Sequence, residues 1–412
     1  MQWLKEIPSH WEVRKMKYCF YERSEKNHPD EPILCATQSQ GVIPQSMYAN
    51  RVVVVNKGFE GLKLVKKGDF VISLRSFEGG IEYAYYQGII SAAYTILQPN
   101  KDSFSNYWKV LFKSHPFIQL LQTCVTGIRE GQNINYSMLC RAFLPLPPFA
   151  EQEKIVSYLE NKTSKIDAYV ADKEKEIELL QELKQKTIAD AVTKGLNPDA
   201  KMKDSGISWI GVIPEHWVQY RFATLFKEKS ICNHVNEELL SVYLDRGVIR
   251  FSEDNNKRTN PTSKDLSKYQ LVDIGDFVLN NQQAWRGSVG VSRYRGIISP
   301  AYFIFEMSSK LNPLYANYLL RSTSCVAYYF ICSKGIGSIQ RNLDWSSLKQ
   351  RKLAIPPLNE QQAIVAYIAE KCQKIDKLAS ELQSEIDYLK EYKQRLIADC
   401  VTGQINVQNE MI

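Results

Sequence analysis

The clearest hydrophobic pattern in the chain lies between Pro147 and Thr193, where Ile155, Ile166, Ile177 and Ile188 stand 11 residues apart. A second column, Tyr158, Tyr169, Leu180 and Ala191, keeps the same interval. Both columns return 209 residues later, as Ile364, Ile375, Ile386 and Ile397 and as Tyr367, Leu378, Leu389 and Cys400. Eleven residues over three turns is close to the natural α-helical period, so each seam stays on one face of a nearly straight helix. Such a helix is about 65 Å long at 1.5 Å per residue, too long for one compact core. Lys and Glu crowd its other faces, so the narrow stripe needs a similar helix as its cover. The two copies are natural partners for each other. Two core helices in separate domains are the alternative.

Elsewhere the period is that of strands. Short runs rich in Val, Ile, Tyr and Phe, bounded by Gly, Asn and Pro, predict strands over 51–55, 70–74, 89–97, 276–279 and 297–305. Gly68-Asp69 and Gly275-Asp276 predict a turn just before a strand. Helical spacing appears over 107–121 and 313–330. Pro147-Pro148 and Pro356-Pro357 close these mixed segments, because a residue before proline is held out of the α region. The long helices start at once. Asn359 is a credible N-cap and Ala150 a poor one, while Glu151, Glu153 and Glu360 suit the positive helix end. Gly195 and Gly403 stand where the helices stop.

An internal duplication covers nearly the full length. Trp3 and the string Ile7 to Trp11 (IPSHW) match Trp209 and Ile213 to Trp217 (IPEHW). Leu34 with Gly41-Val42-Ile43 matches Leu240 with Gly247-Val248-Ile249, and the GDFV string at Gly68 matches that at Gly275. Gly88-Ile89-Ile90-Ser91 matches Gly296-Ile297-Ile298-Ser299, and Leu146 to Gln152 (LPPFAEQ) matches Ile355 to Gln361 (IPPLNEQ). Between these anchors the halves diverge. The expected division is a first domain over 1–146, a long helix over 147–194, a linker over 195–207, a second domain over 208–355, a second helix over 356–403 and a tail over 404–412. The fold class is α+β: two mixed α/β domains related by a pseudo-twofold axis and joined by two long helices packed antiparallel. Connectivity then returns Thr402 to the neighbourhood of the first domain.

Composition narrows the function. The 412 residues are 44% hydrophobic and 24% charged, a globular balance, and the net charge of +7 suits a polyanionic partner. Nine cysteines without C-x-x-C spacing read as reduced thiols, and the five histidines never reach metal-ligand spacing. Neither an apolar leader nor an aliphatic run able to span a bilayer occurs, so a soluble cytoplasmic protein without membrane contact is expected.

Catalytic motifs are wanting. Leu146-Pro147-Pro148-Phe149 superficially matches the Asn/Asp-Pro-Pro-aromatic string of amino-methyltransferases, yet Leu146 and Ile355 cannot accept a hydrogen bond from an amino group. No G-x-G-x-x-G opens a helix after a strand, and no phosphate-cradling G-x-x-x-x-G-K-[ST] loop exists. No metal site and no catalytic residue are expected.

Binding chemistry is better represented. Arg, Asn, Gln and Ser read base edges in the DNA major groove. They cluster in Gly-rich loops: Gln38, Ser39 and Gln40; Arg75 and Ser76; and Arg129, Gln132 and Asn133. The second half offers Arg246; Asn281, Gln282, Gln283 and Arg286; and Gln340, Arg341 and Asn342. A polar Gly-rich loop is also an ordinary solvated turn. Recurrence at equivalent places in both halves, with different residues at each, favours two readers of different words.

The anchors I-P-x-H-W, G-D-F-V and above all P-P-x-x-E-Q opening a long helix resemble the specificity subunit of type I restriction-modification systems, over residues 3 to 403. The resemblance implies that the two domains are target recognition domains, each reading half of a bipartite, asymmetric double-stranded DNA site. It implies that the helices form an antiparallel coiled coil, a ruler that docks two modification subunits and, through them, restriction/translocase subunits. S-adenosylmethionine, ATP and Mg are then expected on the partners, and none on this chain. His10, Trp11, His216 and Trp217 are expected to pack. A self-contained methyltransferase-nuclease and a scaffold without DNA contact are the rival readings.

Overall fold

The structure, a computed structural model, describes residues 3–4, 6–49, 58–100, 104–127, 133–207, 210–253, 265–336 and 340–409, without the side chains of Glu253, Ile336, Gln340 and Asn409. The expected strand over 51–55 lies outside these residues. Strands and helices mix throughout, so the class is α+β. Contacts gather the chain into two units, one of residues 1–175 with 382–412 and one of residues 176–381. The linear division expected from sequence thus differs from the contact division, which falls inside both long helices.

Each unit has the same sheet. In the first, four antiparallel strands run in the order Phe20–Arg23, Thr95–Pro99, Phe70–Ile72, Glu82–Tyr83. In the second the order is Phe226–Lys229, Tyr302–Met307, Phe277–Asn280, Val289–Val291. The Gly-Asp motif explains itself in both. Asp69 Oδ2 accepts the Lys66 N–H at 2.8 Å and Arg23 Nε–H at 2.7 Å. Asp276 Oδ2 accepts the Asp273 N–H and Lys229 Nζ–H, both at 2.7 Å. One carboxylate closes the turn and ties it to the edge strand.

Two expected strands are each two shorter ones. The run 89–97 breaks into Gly88–Ile90 and Thr95–Pro99, and 297–305 into Gly296–Ile298 and Tyr302–Met307. In both, the turn starts at a serine carbonyl, Ser91 or Ser299, which accepts the N–H of Tyr94 or Tyr302. The expected helices over 107–121 and 313–330 are likewise pairs, Ser105–Leu111 with His115–Thr123 and Pro313–Leu320 with Thr323–Ile331. Ser114 and Ser322 cause the break, each turning its hydroxyl back onto a carbonyl three residues earlier, at 2.7 Å and 2.6 Å.

The long helices span Phe149–Lys194 and Leu358–Val401. Asn359 is not the N-cap, since the Pro148 and Pro357 carbonyls take the first helical N–H groups and place Asn359 inside the first turn. Gly195 and Gly403 do end the helices, both at φ 75°. Within the first unit Lys393 pairs with Asp167 at 2.6 Å, and Lys390 with Glu174 at 2.9 Å. Residue numbers fall on one helix as they rise on the other. The second unit repeats the sense, with Lys184 against Asp376 at 2.6 Å and Gly195 beside the Glu360 carboxylate.

All eight isoleucines of the first column are buried or half-buried, with Ile155, Ile364 and Ile386 sealed. The second column departs from expectation at mid-helix, where Tyr169 is 47% and Leu378 45% exposed. A helix facing one partner hides only a narrow stripe. The shoulder positions are sealed where a domain also covers them, as at Tyr158, Ala191 and Cys400.

Both helices enter each core. Leu396, Cys400 and Val401 join Ile155, Val156 and Leu159 around Phe20, Phe70, Trp108 and Phe112 in the first unit. Ala191 and Val192 join Ile364 and Ile368 around Trp217, Phe277, Phe305 and Tyr315 in the second. A buried tyrosine latches each helix end: Tyr107 donates to the Val401 carbonyl at 3.1 Å, Tyr315 to the Val192 carbonyl at 3.2 Å. Gly403 lies on Pro8 and Trp11, so the return of the chain to the first domain is as connectivity suggested. Truncating Ile386 to Ala should cost about 2–5 kcal/mol in denaturant unfolding. Lys393→Ala, at the exposed rim of the same contact, should cost less than about 1 kcal/mol.

Candidate functional site

The sequence anchors are fully engaged in holding each unit together. His10 Nε2 lies 2.9 Å from Glu151 Oε2, and His216 Nε2 lies 2.7 Å from Glu360 Oε2. Gln152 and Gln361, both buried, accept the N–H of Phe104 and Asn312 at 2.9 Å and 2.7 Å. Each also donates back to its own proline corner, at 2.8 Å to Pro147 and 2.9 Å to Pro356. The Glu-Gln pair is therefore a clasp between helix start and domain; its other half is His10 in the first unit and, in the second, His216 with Trp217, whose Nε1–H donates to Glu360 Oε1 at 3.1 Å.

The described parts of the diverging loops come together within each unit. In the first, Gln38, Ser39 and Gln40 form the exposed turn between Leu34–Thr37 and Gly41–Pro44. Gly41 closes it at φ 74°, where a Cβ would sit 2.7 Å from the Tyr83 carbonyl oxygen. Lys113 Nζ donates to the carbonyls of Gln38 (3.2 Å) and Gly79 (2.9 Å) and to Glu82 Oε1 (2.6 Å). One ammonium thus ties the turn to the short helix Ser76–Gly79. The strand Asn133–Ile134, with Asn133 exposed, lies beside that helix, so Asn133 stands near the other two loops. Burial raises the Glu82 carboxyl above its usual range, with Lys113 pulling the other way.

The second unit repeats the device with other residues. Arg321 stands where Lys113 does, one residue before the helix-breaking serine, and its Nη2 donates to the carbonyls of Leu244 (2.8 Å) and Asp245 (2.6 Å). The strand register puts Gly290 opposite Glu82, so Arg321 lacks the buried carboxylate that neutralises Lys113. A groove of about 600 Å³ opens there, lined among others by Lys184, Asp245, Arg286 and Arg321. Gln282 and Arg286 are exposed and Gln283 half-buried beside it, and Arg246 is exposed on the neighbouring turn. Arg341 and Asn342, half-buried, stand on the strand Gln340–Leu343 of the hairpin with Ser333–Ile336.

Two expected readers are corrected. Ser76 is buried and its hydroxyl accepts the Ser73 N–H at 2.8 Å, which leaves it facing inward. Asn281 uses its side-chain oxygen to accept the Leu343 N–H at 2.9 Å, anchoring the hairpin rather than facing a ligand with that atom. Arg75 is exposed. Arg129 and Gln132 lie outside the described residues, and Gln340 is described in its backbone alone. Reading the sequence missed Lys113 and Arg321, although aligning the halves sets one basic residue opposite the other, each followed by serine.

Among the described residues no cluster of His, Cys, Asp and Glu could hold a metal ion, and no helix is long and apolar enough to cross a membrane. What the fold defines is an α+β protein whose two units carry the same four-stranded sheet. No family model matches the chain. It is 24% identical over 428 residues to a Methanocaldococcus jannaschii protein named as the specificity subunit of the type I restriction enzyme MjaX, covering 98% of this chain and 95% of that one. It is 22% identical to the specificity subunit of the Escherichia coli type I restriction enzyme EcoKI, over 76% of this chain and 68% of the relative. The fold is that of the HsdS subunit of Thermoanaerobacter tengcongensis, with TM-score 0.53, 14% identity and coverage of 97% and 99%. A chain from a structure of type I R-M complex assembly and conformational transition gives TM-score 0.67 at 14% identity, covering 97% of this chain and 100% of that one. This chain is a relative of type I restriction enzyme specificity subunits.

The pins generate a local prediction. Arg321→Met should speed amide exchange over 244–247 by about 10- to 100-fold, the loss of a charge-assisted hydrogen bond. Exchange over 38–41 should stay as it was; equal acceleration of both turns would mean general loosening.

Proposed function

We propose that this chain is the DNA-reading, non-catalytic subunit of a type I restriction-modification complex. Each unit reads one half of a bipartite, asymmetric site, and the paired helices act as an antiparallel coiled coil that sets the spacing. The observation that supports this most is one scaffold carrying unlike loops, Gln38 against Leu244 at the pinned turn and Glu82 against Gly290 beneath it. Fixed half-site spacing is the usual consequence of a two-fold reader on duplex DNA. Lys and Arg around the loops supply the salt-dependent phosphate contribution. S-adenosylmethionine, ATP and Mg chemistry belong to partner subunits, and adenines are flipped out by those partners. Exchanging residues 1–146 for those of another such subunit should change one half-site of the methylation pattern and leave the other intact. Change in both halves would contradict modular reading.

The long helices also carry the docking positions for the two modification subunits. Leu179 and Leu183 are 55% and 50% exposed, and their repeat equivalents Tyr388 and Tyr392 are 71% and 55% exposed. Large apolar residues four apart on a helix form one continuous patch, and exposed patches of this kind mark partner surfaces. Its recurrence after 209 residues offers two copies of one surface to two copies of one partner. Leu179→Asp with Leu183→Asp should reduce the assembly from two modification subunits to one by native mass spectrometry. Retention of both would remove this surface from the docking scheme.

A further inference from the structure

The two reading faces differ in kind as well as in sequence. In the second unit Arg286 sits over the Trp285 ring, 5.0 Å from its centroid, and Arg341 over the Phe330 ring at 4.2 Å. The two rings are neighbours, with centroids 6.3 Å apart. Phe330 is exposed and Trp285 half-buried, the latter fixed by its Nε1–H donating to the Gln282 carbonyl at 3.1 Å. Two other arginines of this unit hold carboxylates: Arg295 pairs with Glu237 and Asp273, and Arg250 with Glu238, while Arg321 grips carbonyls. Among the described residues neither Arg286 nor Arg341 has such a partner. Arg341 Nη2 has only a long 3.5 Å contact to the Ser333 carbonyl, and its Nε is buried without a partner among the described residues.

The same positions in the first unit carry another chemistry. Matching the buried Ser76 to the buried Ala284 sets Phe77 opposite Trp285 and Glu78 opposite Arg286, and matching Cys124 to Cys332 sets Gln122 opposite Phe330. There the contact is polar: Gln122 Nε2 donates to the Phe77 carbonyl at 3.3 Å, and Gln38 Nε2 to Glu78 at 3.4 Å. One scaffold contact is an amide tie in one unit and an aromatic pair flanked by guanidiniums in the other. A guanidinium held by a ring face and free of carboxylates keeps its terminal donors for a ligand. The pair of acceptors that a guanidinium fits in the major groove is guanine O6 with N7.

We propose that Arg286 and Arg341 read guanine in the half-site of the second unit, with Trp285 and Phe330 as the positioning residues that aim them. This rests on the DNA-reading function proposed above. The test uses the assembled complex, methylation mapping and duplexes bearing single changes in each half-site; the half-site untouched by exchange of residues 1–146 belongs to the second unit. That half-site should contain guanine. Arg341→Ala and Arg286→Ala should each lower discrimination at a guanine there by about 5- to 150-fold. Phe330→Leu should lower it by about 2- to 5-fold, the loss of an exposed cation–π contact, and Phe330→Tyr should restore it. Discrimination in the other half-site should not move. A half-site without guanine, or undiminished discrimination in Arg341→Ala, overturns the proposal while leaving bipartite reading in place. Equal loss in both half-sites by Phe330→Leu makes the ring merely structural and also overturns it. A complex with no bipartite site at all would instead contradict the function on which it rests.

Discussion

Each unit depends on a contact made far apart in sequence: the end of one long helix packed beside the start of the other, in opposite sense. Tyr107 latches onto Val401 and Tyr315 onto Val192, sequence separations of 294 and 123 residues closed by the same hydrogen bond. Removing either helix end would leave a buried tyrosine hydroxyl unpartnered and open the aromatic core around it. Ion pairs along the rim add direction more than strength, since exposed pairs contribute little. The isoleucine column supplies the cohesion, and its narrowness explains why so much of each helix stays polar.

This arrangement separates the parts that must stay from those free to change. Asp69 and Asp276, Gln152 and Gln361, and Glu151 and Glu360 are engaged with turns, backbone and helix starts. The loops in turn are held through their backbone, by Lys113 and Arg321 gripping carbonyl oxygens. A carbonyl grip is indifferent to the side chain that the gripped residue carries. Gln38 can therefore stand where Leu244 stands without loss of the turn.

Much of this was legible in the sequence because duplication repeats it. Helix bounds, glycine stops, the Gly-Asp turn and the clasp residues all come from strings that recur. Finer features were hidden for physical reasons. A serine that breaks a helix by turning on its own carbonyl looks like any serine, and Asn359 has cap chemistry but lies past a proline carbonyl that already does the work. Among the candidate readers, Ser76 and Asn281 are polar residues serving the backbone, which composition cannot distinguish from residues serving a ligand. Trp285 and Phe330 carry no signal of their own in the sequence, since aromatic residues are more often core than surface. The comparison of one half with the other exposes them, since Gln122 occupies the equivalent place of Phe330.

The opposite sense of the two helices is the claim from which the rest follows, and a photo-crosslinking residue at position 393 tests it directly. Peptide mapping after irradiation should find the link near Asp167, which faces Lys393. A link near Lys184, the repeat equivalent of position 393 and its neighbour in a parallel pairing, would contradict the account.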